Sequence, residues 1–131
     1  MDTVDRVAAA FEATPRSRFL PRAARLRAGY DGPIQIGWGQ TNSQPRTVAD
    51  MLRLLDVRPG ERVLDVGSGS GWTTALLAHL VGPGGTVVGV ELVPELVVLG
   101  RGNLAAVERA WARIEQARPD VLGWPDDAPY D

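Results

Sequence analysis

The sequence predicts an α/β fold built on a parallel sheet, and three consecutive patterns carry this prediction. A short strand, RVLDV from Arg62 to Val66, runs directly into the glycine-rich GSGSG and then into an apolar helix from Trp72 to Val81. The stretch from Thr86 to Val90 is continuously apolar, which is typical of a strand buried on both faces of a parallel sheet. Pro94 then begins another helix that extends to about Val107. The order β-α-β-α predicts a right-handed crossover unit.

The residues before this unit predict a helical segment followed by a polar loop. Apolar residues at helical spacing predict a helix from Val4 to Ala13, which Pro15 ends, and a short helix from Arg22 to Ala28. The stretch GWGQTNSQPRT, residues 37–47, is rich in turn-forming residues and is expected to be a loop. A further helix begins at Pro45, with one apolar face.

The residues after Val107 are locally ambiguous between helix and strand. We expect a strand at ARIEQA, residues 112–117, although most residues around it are fair helix formers. Gly100 and Gly102 lie inside the preceding helix, where each is unfavourable by up to about 1 kcal/mol relative to Ala, and the sequence gives no reason for them.

Composition excludes several classes of function. The net charge is −2, which argues against a general nucleic-acid binder, and no apolar run approaches the length of a membrane span. There is no Cys and a single His, His79, which excludes thiolate and His-rich metal sites, and we expect a cytoplasmic protein without a metal. We expect His79 to be an exposed helix residue. Five arginines cluster early, and we interpret them as a solvated face rather than a guide for an acidic substrate. They are Arg16, Arg18, Arg22, Arg25 and Arg27.

The strongest chemical signal is VLDVGSGSGWTTALLA. Glycines at 67, 69 and 71 let the backbone approach a ligand at the carboxyl end of a strand, where open α/β sheets bind ligands. Glu91 ends the next strand and can accept hydrogen bonds from ribose hydroxyls. The spacing is GxGxG rather than the GxGxxG of dinucleotide sites, and Asp65 suits a ligand with a cationic end. A structural turn without a ligand is the alternative.

The chain resembles the N-terminal part of the protein-L-isoaspartate O-methyltransferases, a family of class I S-adenosylmethionine (SAM) methyltransferases. The matching segments are PRSRFLP, PIQIGWGQTNSQPRTVADMLRLLDVRPGERVLDVGSGSGWTTALLA, GTVVGVELVPELV and GWPDDAPYD, in the family's order. The resemblance implies a Rossmann-like three-layer sandwich with only the N-terminal part of its sheet, preceded by a helical segment. Residues 1–131 are then one incomplete domain, with 1–45 on the substrate side and 46–131 binding the cofactor.

The resemblance also implies roles for individual residues. Ser43 is the active-site hydroxyl, although it could equally cap the helix that begins at Pro45. Gln40 and Thr41 line the substrate side of the pocket. The cofactor residues are Asp65, Gly67, Ser68, Gly69, Ser70, Gly71, Glu91 and Asp120. Asp120 takes the place of a family aspartate only after a one-residue shift, because Pro119 aligns with that position.

The implied activity is transfer of a methyl group from SAM to the free α-carboxylate of isoaspartyl residues in proteins or peptides, which repairs aged proteins. Two alternatives remain: a relative that methylates an aspartate of a dedicated peptide during its maturation, and a non-catalytic module that binds SAM or a partner. No membrane or nucleic-acid partner is expected, and no oligomeric state follows from the sequence.

The family continues beyond the last matching segment into a strand that pairs with RVLDV. We therefore expect RVLDV to form an edge of the sheet here. We also expect the chain to be a fragment, a truncated gene product or a piece that needs a partner, with weak SAM binding and impaired transfer.

Overall fold

The computed structural model describes residues 3–131, with side chains from residue 6 onward, as four α-helices and five strands. The helices are α1 (Thr3–Ala13), α2 (Pro45–Leu55), α3 (Trp72–Val81) and α4 (Pro94–Ala106). The strands are β1 (Ile34–Gly37), β2 (Gln40–Asn42), β3 (Arg62–Val66), β4 (Thr86–Glu91) and β5 (Ala112–Gln116). Short 3-10 helices occupy Arg16–Phe19, Arg22–Arg27 and Pro125–Asp127. None of the helices in residues 3–131 is long and apolar enough to span a bilayer.

The central sheet is parallel and has the order β3-β4-β5. The predicted crossover unit and the strand at ARIEQA are therefore confirmed. Within residues 3–131, strand β3 pairs with β4 alone. At the start of its free edge, the backbone N–H of Asp131 donates to the carbonyl of Arg62, and the Arg62 N–H donates to an Asp131 carboxylate oxygen, each over 2.8 Å.

Helices α3 and α4 pack on one face of the sheet, because Val63, Val87 and Ile114 point into the same core as α3. Helix α1 covers α3 from outside through Val7 and Ala10, so α3 is buried on nearly every side. The opposite face is crossed by the segment 118–131 rather than by a helix. Gly123 lies against Leu64 there, and Asp127 pairs with Arg113.

The stretch expected to be a loop is instead a β-hairpin. Residues Gln40–Asn42 form β2 and pair antiparallel with β1. The pattern of β1 alternates, with Ile34 and Ile36 buried and Gln35 exposed, which is the period of a strand with one face on a core. The turn consists of Trp38 and Gly39, and these two residues and Gly37 before them all have positive φ (56°, 71° and 96°). The signal for the hairpin was therefore the alternation in PIQI, which glycine and asparagine in the following stretch masked.

Helix α2 begins at Pro45, as predicted, but buries only part of the expected apolar face. Val48 and Leu52 are buried, whereas the side chains of Met51 and Leu55 are 63% and 56% exposed. These exposed side chains line an apolar cavity of about 560 Å³ beside the free edge of β3.

The unexplained glycine in α4 has a packing role. A Cβ on Gly100 would lie 2.8 Å from the Ile114 side chain and 3.1 Å from the carbonyl oxygen of Gly69. Helix α4 therefore meets the glycine loop, residues 67–71, backbone to backbone. A Cβ on Gly102 would meet nothing within 4 Å, so that glycine is not required by packing.

These two glycines make a matched pair for measuring stability. We expect Gly102→Ala to raise the free energy of unfolding by up to about 1 kcal/mol, because alanine is the better helix former. We expect Gly100→Ala to lower it by about 1 kcal/mol or more, because overpacking against fixed backbone outweighs the helical gain. Urea denaturation of both variants measures the difference, and equal stability of the two would contradict the packing role of Gly100.

Candidate functional site

A cavity of about 600 Å³ opens at the carboxyl edge of the parallel sheet. It brings together residues that the sequence placed in the site but that are far apart in the chain. These are Gln40, Thr41, Gly67, Gly69, Glu91 and Asp120. The ends of parallel strands converge at one edge, which is why β3 and β4 deliver Gly67 and Glu91 to the same place. The hairpin supplies Gln40 and Thr41 from the other side.

The glycine loop depends on backbone conformations that favour glycine. Gly67, Gly69 and Gly71 have φ values of 78°, 55° and 95°. The N–H groups of Gly67 and Ser68 both donate to the carbonyl of Val90, which fastens the loop to the end of β4. Gly71 is buried beneath the loop, where a Cβ would lie 3.2 Å from the carbonyl oxygen of Gly100. The first two glycines therefore line the cavity, and the third fits the loop onto α4.

Glu91 is buried, and both of its carboxylate oxygens accept backbone hydrogen bonds. Oε1 accepts from the N–H of Gly69 and Oε2 from the N–H of Val93, each over 2.9 Å. The side chain therefore joins the glycine loop to the beginning of α4. A carboxylate has about four acceptor positions, so two remain for a ligand in the cavity.

A second, small cavity of about 40 Å³ lies between the hairpin and the glycine loop. Thr41 and Ser43 line it from the hairpin side, and Ser68 and Ser70 line it from the loop side. The hydroxyls of Ser68 and Ser70 are buried without a hydrogen-bond partner. Buried polar groups are normally hydrogen-bonded, so these two hydroxyls keep a donor capacity that the described residues do not use.

Asp65 lies away from the large cavity and lines the apolar one beside α2, together with Ser43. Its carboxylate accepts a hydrogen bond from the Thr74 hydroxyl over 2.8 Å. Burial raises the pKa of Asp65 to about 6, the Thr74 hydrogen bond opposes the rise, and the charge of Glu91 adds to it. The carboxylate is thus held at an energetic disadvantage that a nearby cation would relieve.

Ser43 is exposed, and its hydroxyl caps no helix. The N-cap of α2 is Gln44, which makes no capping side-chain bond. Instead, the Gln44 amide donates to the carbonyl of Asp31 over 3.0 Å. The Ser43 hydroxyl makes no hydrogen bond to any part of the chain that the structure describes, which leaves it available to a ligand.

Asp120 is exposed in the loop after β5 and lies in the lining of the large cavity. The loop is held nearby by Arg118, which pairs with Asp126 over 2.7 Å and lies 4.0 Å above the Trp124 ring. His79 is exposed in α3, as expected. Burial lowers the pKa of His79, with a further lowering from the charges of Arg109 and Arg6.

Sequence reasoning missed the apolar side of the large cavity and one buried cation. Leu92 and Leu122 line the cavity while 70% and 91% exposed, so they offer apolar surface to a ring system. In the sequence, the sign of this apolar surface was Leu92, which directly follows Glu91 at the end of β4. Arg16, interpreted as part of a solvated face, is buried instead. Its position in PRSRFLP, between Thr14 and Phe19 that are both buried, could have indicated this.

The parallel strands, the glycine loop after β3 and the acid at the end of β4 define a class I methyltransferase fold, to which solved methyltransferase structures are similar. A family model described as Protein-L-isoaspartate(D-aspartate) O-methyltransferase matches residues 1–131. The chain belongs to this family.

Curated relatives agree with the family and are longer. A protein-L-isoaspartate O-methyltransferase of Methanopyrus kandleri is 45% identical over 129 residues, which cover 97% of this chain and 56% of the relative. One from Anaeromyxobacter sp. is 48% identical over 126 residues, covering 95% of this chain and 50% of the relative. The chain therefore spans about half the length of these relatives.

Solved structures agree as well. A protein-L-isoaspartate O-methyltransferase superposes with a TM-score of 0.83 at 27% identity, covering 97% of this chain and 41% of the other. A Plasmodium falciparum structure, described as a putative protein-L-isoaspartate O-methyltransferase in complex with S-adenosyl-L-homocysteine, gives a TM-score of 0.73 at 28% identity. It covers 85% of this chain and 54% of that one.

The raised pKa of Asp65 predicts a stability difference that depends on pH. Between the usual pKa of 3.8 and the folded value of about 6, the unfolded chain releases its proton first, so stability falls as the pH rises through this window. Above the window, we expect Asp65→Asn to be more stable than the wild type by roughly 1 to 3 kcal/mol. Below the window, the advantage should disappear.

Urea denaturation at pH 4 and pH 8 measures this difference. Asp50→Asn on the exposed face of α2 is the control for the same change from carboxylate to amide. If Asp65→Asn were equally destabilised at pH 4 and pH 8, the Asp65 carboxylate of the wild type would not be in an unfavourable environment.

Proposed function

We propose that this chain forms the cofactor side and the hydroxyl-bearing hairpin of a methyltransferase that acts on the α-carboxylate of isoaspartyl residues, with SAM as the methyl donor. One observation carries the proposal. The hairpin residues Gln40 and Thr41 line the same cavity as Gly67, Gly69 and Glu91 at the carboxyl edge of the sheet. A cofactor seated on the glycine loop would therefore face the hairpin directly.

The residues present fit SAM on three counts. Glu91 keeps free acceptor positions for ribose hydroxyls, beside the apolar surface of Leu92. The unpartnered hydroxyls of Ser68 and Ser70 can donate to the carboxylate of a methionine end. Asp65 sits behind the loop as an anionic group that gains from a nearby cation. Among the described residues, no group of three or more acidic, His or Cys side chains is arranged to hold a metal ion.

The chemistry asks for positioning rather than for a strong base. When bound, SAM supplies a methyl group on a positively charged sulfur. The accepting carboxylate is already ionised at neutral pH and needs no proton removed. The hydroxyls of Thr41 and Ser43 can donate hydrogen bonds that orient it. Alignment of this kind can account for a large part of a rate enhancement. Exclusion of water would favour this step, because opposite charges disappear in it.

Labelled methyl transfer tests the function directly. The purified chain is incubated with methyl-labelled SAM and either an isoaspartyl peptide or the same peptide with ordinary aspartate. We expect label on the isoaspartyl peptide alone, and a loss of at least tenfold in rate for Ser43→Ala, with Ser17→Ala as the unaffected control. Label on the aspartyl peptide would favour a maturation enzyme. SAM binding without label would favour a non-catalytic module and overturn the proposal for this chain.

The double role of Glu91 predicts a specific weakness in cofactor binding. Glu91→Gln places an amide NH₂ against the N–H of Gly69 or Val93, so one of two charge-assisted bonds becomes a repulsion. The same change weakens the hydrogen bonds that the charged carboxylate would accept from the ribose hydroxyls. Hydrogen bonds to charged groups contribute roughly 1.5 to 3 kcal/mol, so we expect the Kd for S-adenosylhomocysteine to rise by about 10- to 100-fold. Titration calorimetry measures it. Glu95→Gln, which changes an exposed acid in the first turn of α4, should bind like the wild type.

A further inference from the structure

Arg16 is a buried cation whose partners are carbonyl and amide oxygens. No carboxylate of the described residues lies within ion-pair distance of it, and burial lowers its pKa while the more distant charge of Asp31 raises it. Burying a charge is unfavourable unless hydrogen bonds satisfy it. The hydrogen-bond partners of this guanidinium therefore identify the segments that it holds together.

All three guanidinium nitrogens bind the chain on either side of the hairpin. Nε donates to Asn42 Oδ1 over 2.6 Å, and Nη2 donates to the carbonyls of Asn42 and Ser43 over 3.2 and 3.1 Å. Nη1 and Nη2 also donate to the carbonyls of Tyr30 and Gly32, each over 2.8 Å. The guanidinium therefore joins the residues that lead into β1 to those that leave β2.

The same guanidinium contacts the beginning of α3. It lies 5.6 Å from the centre of the Trp72 ring, and Trp72 is the first residue after the glycine loop. The Trp72 ring is fixed in turn, because its Nε1 donates to the carbonyl of Thr14 over 2.9 Å. One side chain thus contacts both the Ser43 segment and the helix that carries the cofactor loop.

We propose that Arg16 is a positioning residue for the transfer reaction, holding the Gln40–Ser43 segment at a fixed place relative to the glycine loop. The inference rests on the function proposed above, because it concerns the same site. Arg16 acts through the backbone of Asn42 and Ser43 and through Trp72. A lysine keeps the charge but has one nitrogen in place of three, so it cannot reproduce the planar fork in which Nε and Nη1 bind Asn42 Oδ1 and the Tyr30 carbonyl in addition to the bonds of Nη2.

Arg16→Lys tests the proposal, with Arg18→Lys in the same 3-10 helix as the matched control. We expect Arg16→Lys to fold, to bind S-adenosylhomocysteine within about threefold of the wild type, and to transfer with a kcat lowered by about 10- to 100-fold at little change in KM. Hydrogen exchange should show that S-adenosylhomocysteine protects the amides of residues 40–44 in the wild type and in Arg18→Lys, but not in Arg16→Lys. A kcat and a protection pattern like those of Arg18→Lys would overturn the proposal.

Two further measurements keep the test decisive. If Arg16→Lys does not fold, Asn42→Ala removes the 2.6 Å acceptor while Arg16 stays in place. A lowered kcat in that variant supports the proposal, and a wild-type kcat overturns it. If the wild type transfers no methyl group, the proposed function fails for this chain, yet the exchange comparison still decides the role of Arg16. Faster exchange of residues 40–44 in Arg16→Lys than in Arg18→Lys supports it, and equal exchange overturns it.

Discussion

The cofactor loop exists in its present form because three glycines let the neighbouring elements approach it closely. Side chains are excluded at Gly71, at Gly89 in β4 and at Gly100 in α4, where added Cβ atoms would lie 3.2, 2.8 and 2.8 Å from their neighbours. These contacts bring α4, β4 and the beginning of α3 close enough for Glu91 to bridge the loop to α4. The place of Glu91 between the loop and α4 follows from this close packing.

The two sides of the site belong to different apolar clusters. The glycine loop stands on the main core around α3, which includes Leu76 and Val87. The hairpin stands on a smaller cluster formed by Leu20, Ile34 and Ile36 together with Leu96 of α4. Because the clusters are separate, the distance between the hydroxyls and the loop is set by the few polar links that join them and by the contact of Ile36 with Gly69. Because the two clusters are separate, Arg16 is one of the few side chains that can fix the position of the hairpin relative to the glycine loop.

The sequence predicted those parts of the molecule whose local pattern and tertiary environment agree. RVLDV and TVVGV have the local pattern of strands, and both are strands in the sheet. Trp72–Val81 is apolar on most sides, and it is buried on most sides. The hairpin could not be predicted from its polar residues, since its strands are short and only Ile34 and Ile36 are held by a core. Arg16 escaped notice for a related reason. Composition treats five neighbouring arginines alike, whereas burial of one of them depends on residues 14 to 27 positions away. Gly100 likewise has a meaning only once α4 lies against the loop.

The hydrogen bonds that attach the N-terminal segment have a consequence for the order of folding. Trp72 reaches Thr14 across 58 positions of the chain, and Arg109 reaches Thr14 and Ala13 across 95 and 96. The crossover unit from β3 to β5, by contrast, is assembled from contacts between consecutive elements. Contacts between distant positions form late because closing a long loop is entropically unfavourable. We therefore expect the unit from β3 to β5 to form first, and the N-terminal segment with the hairpin to dock last.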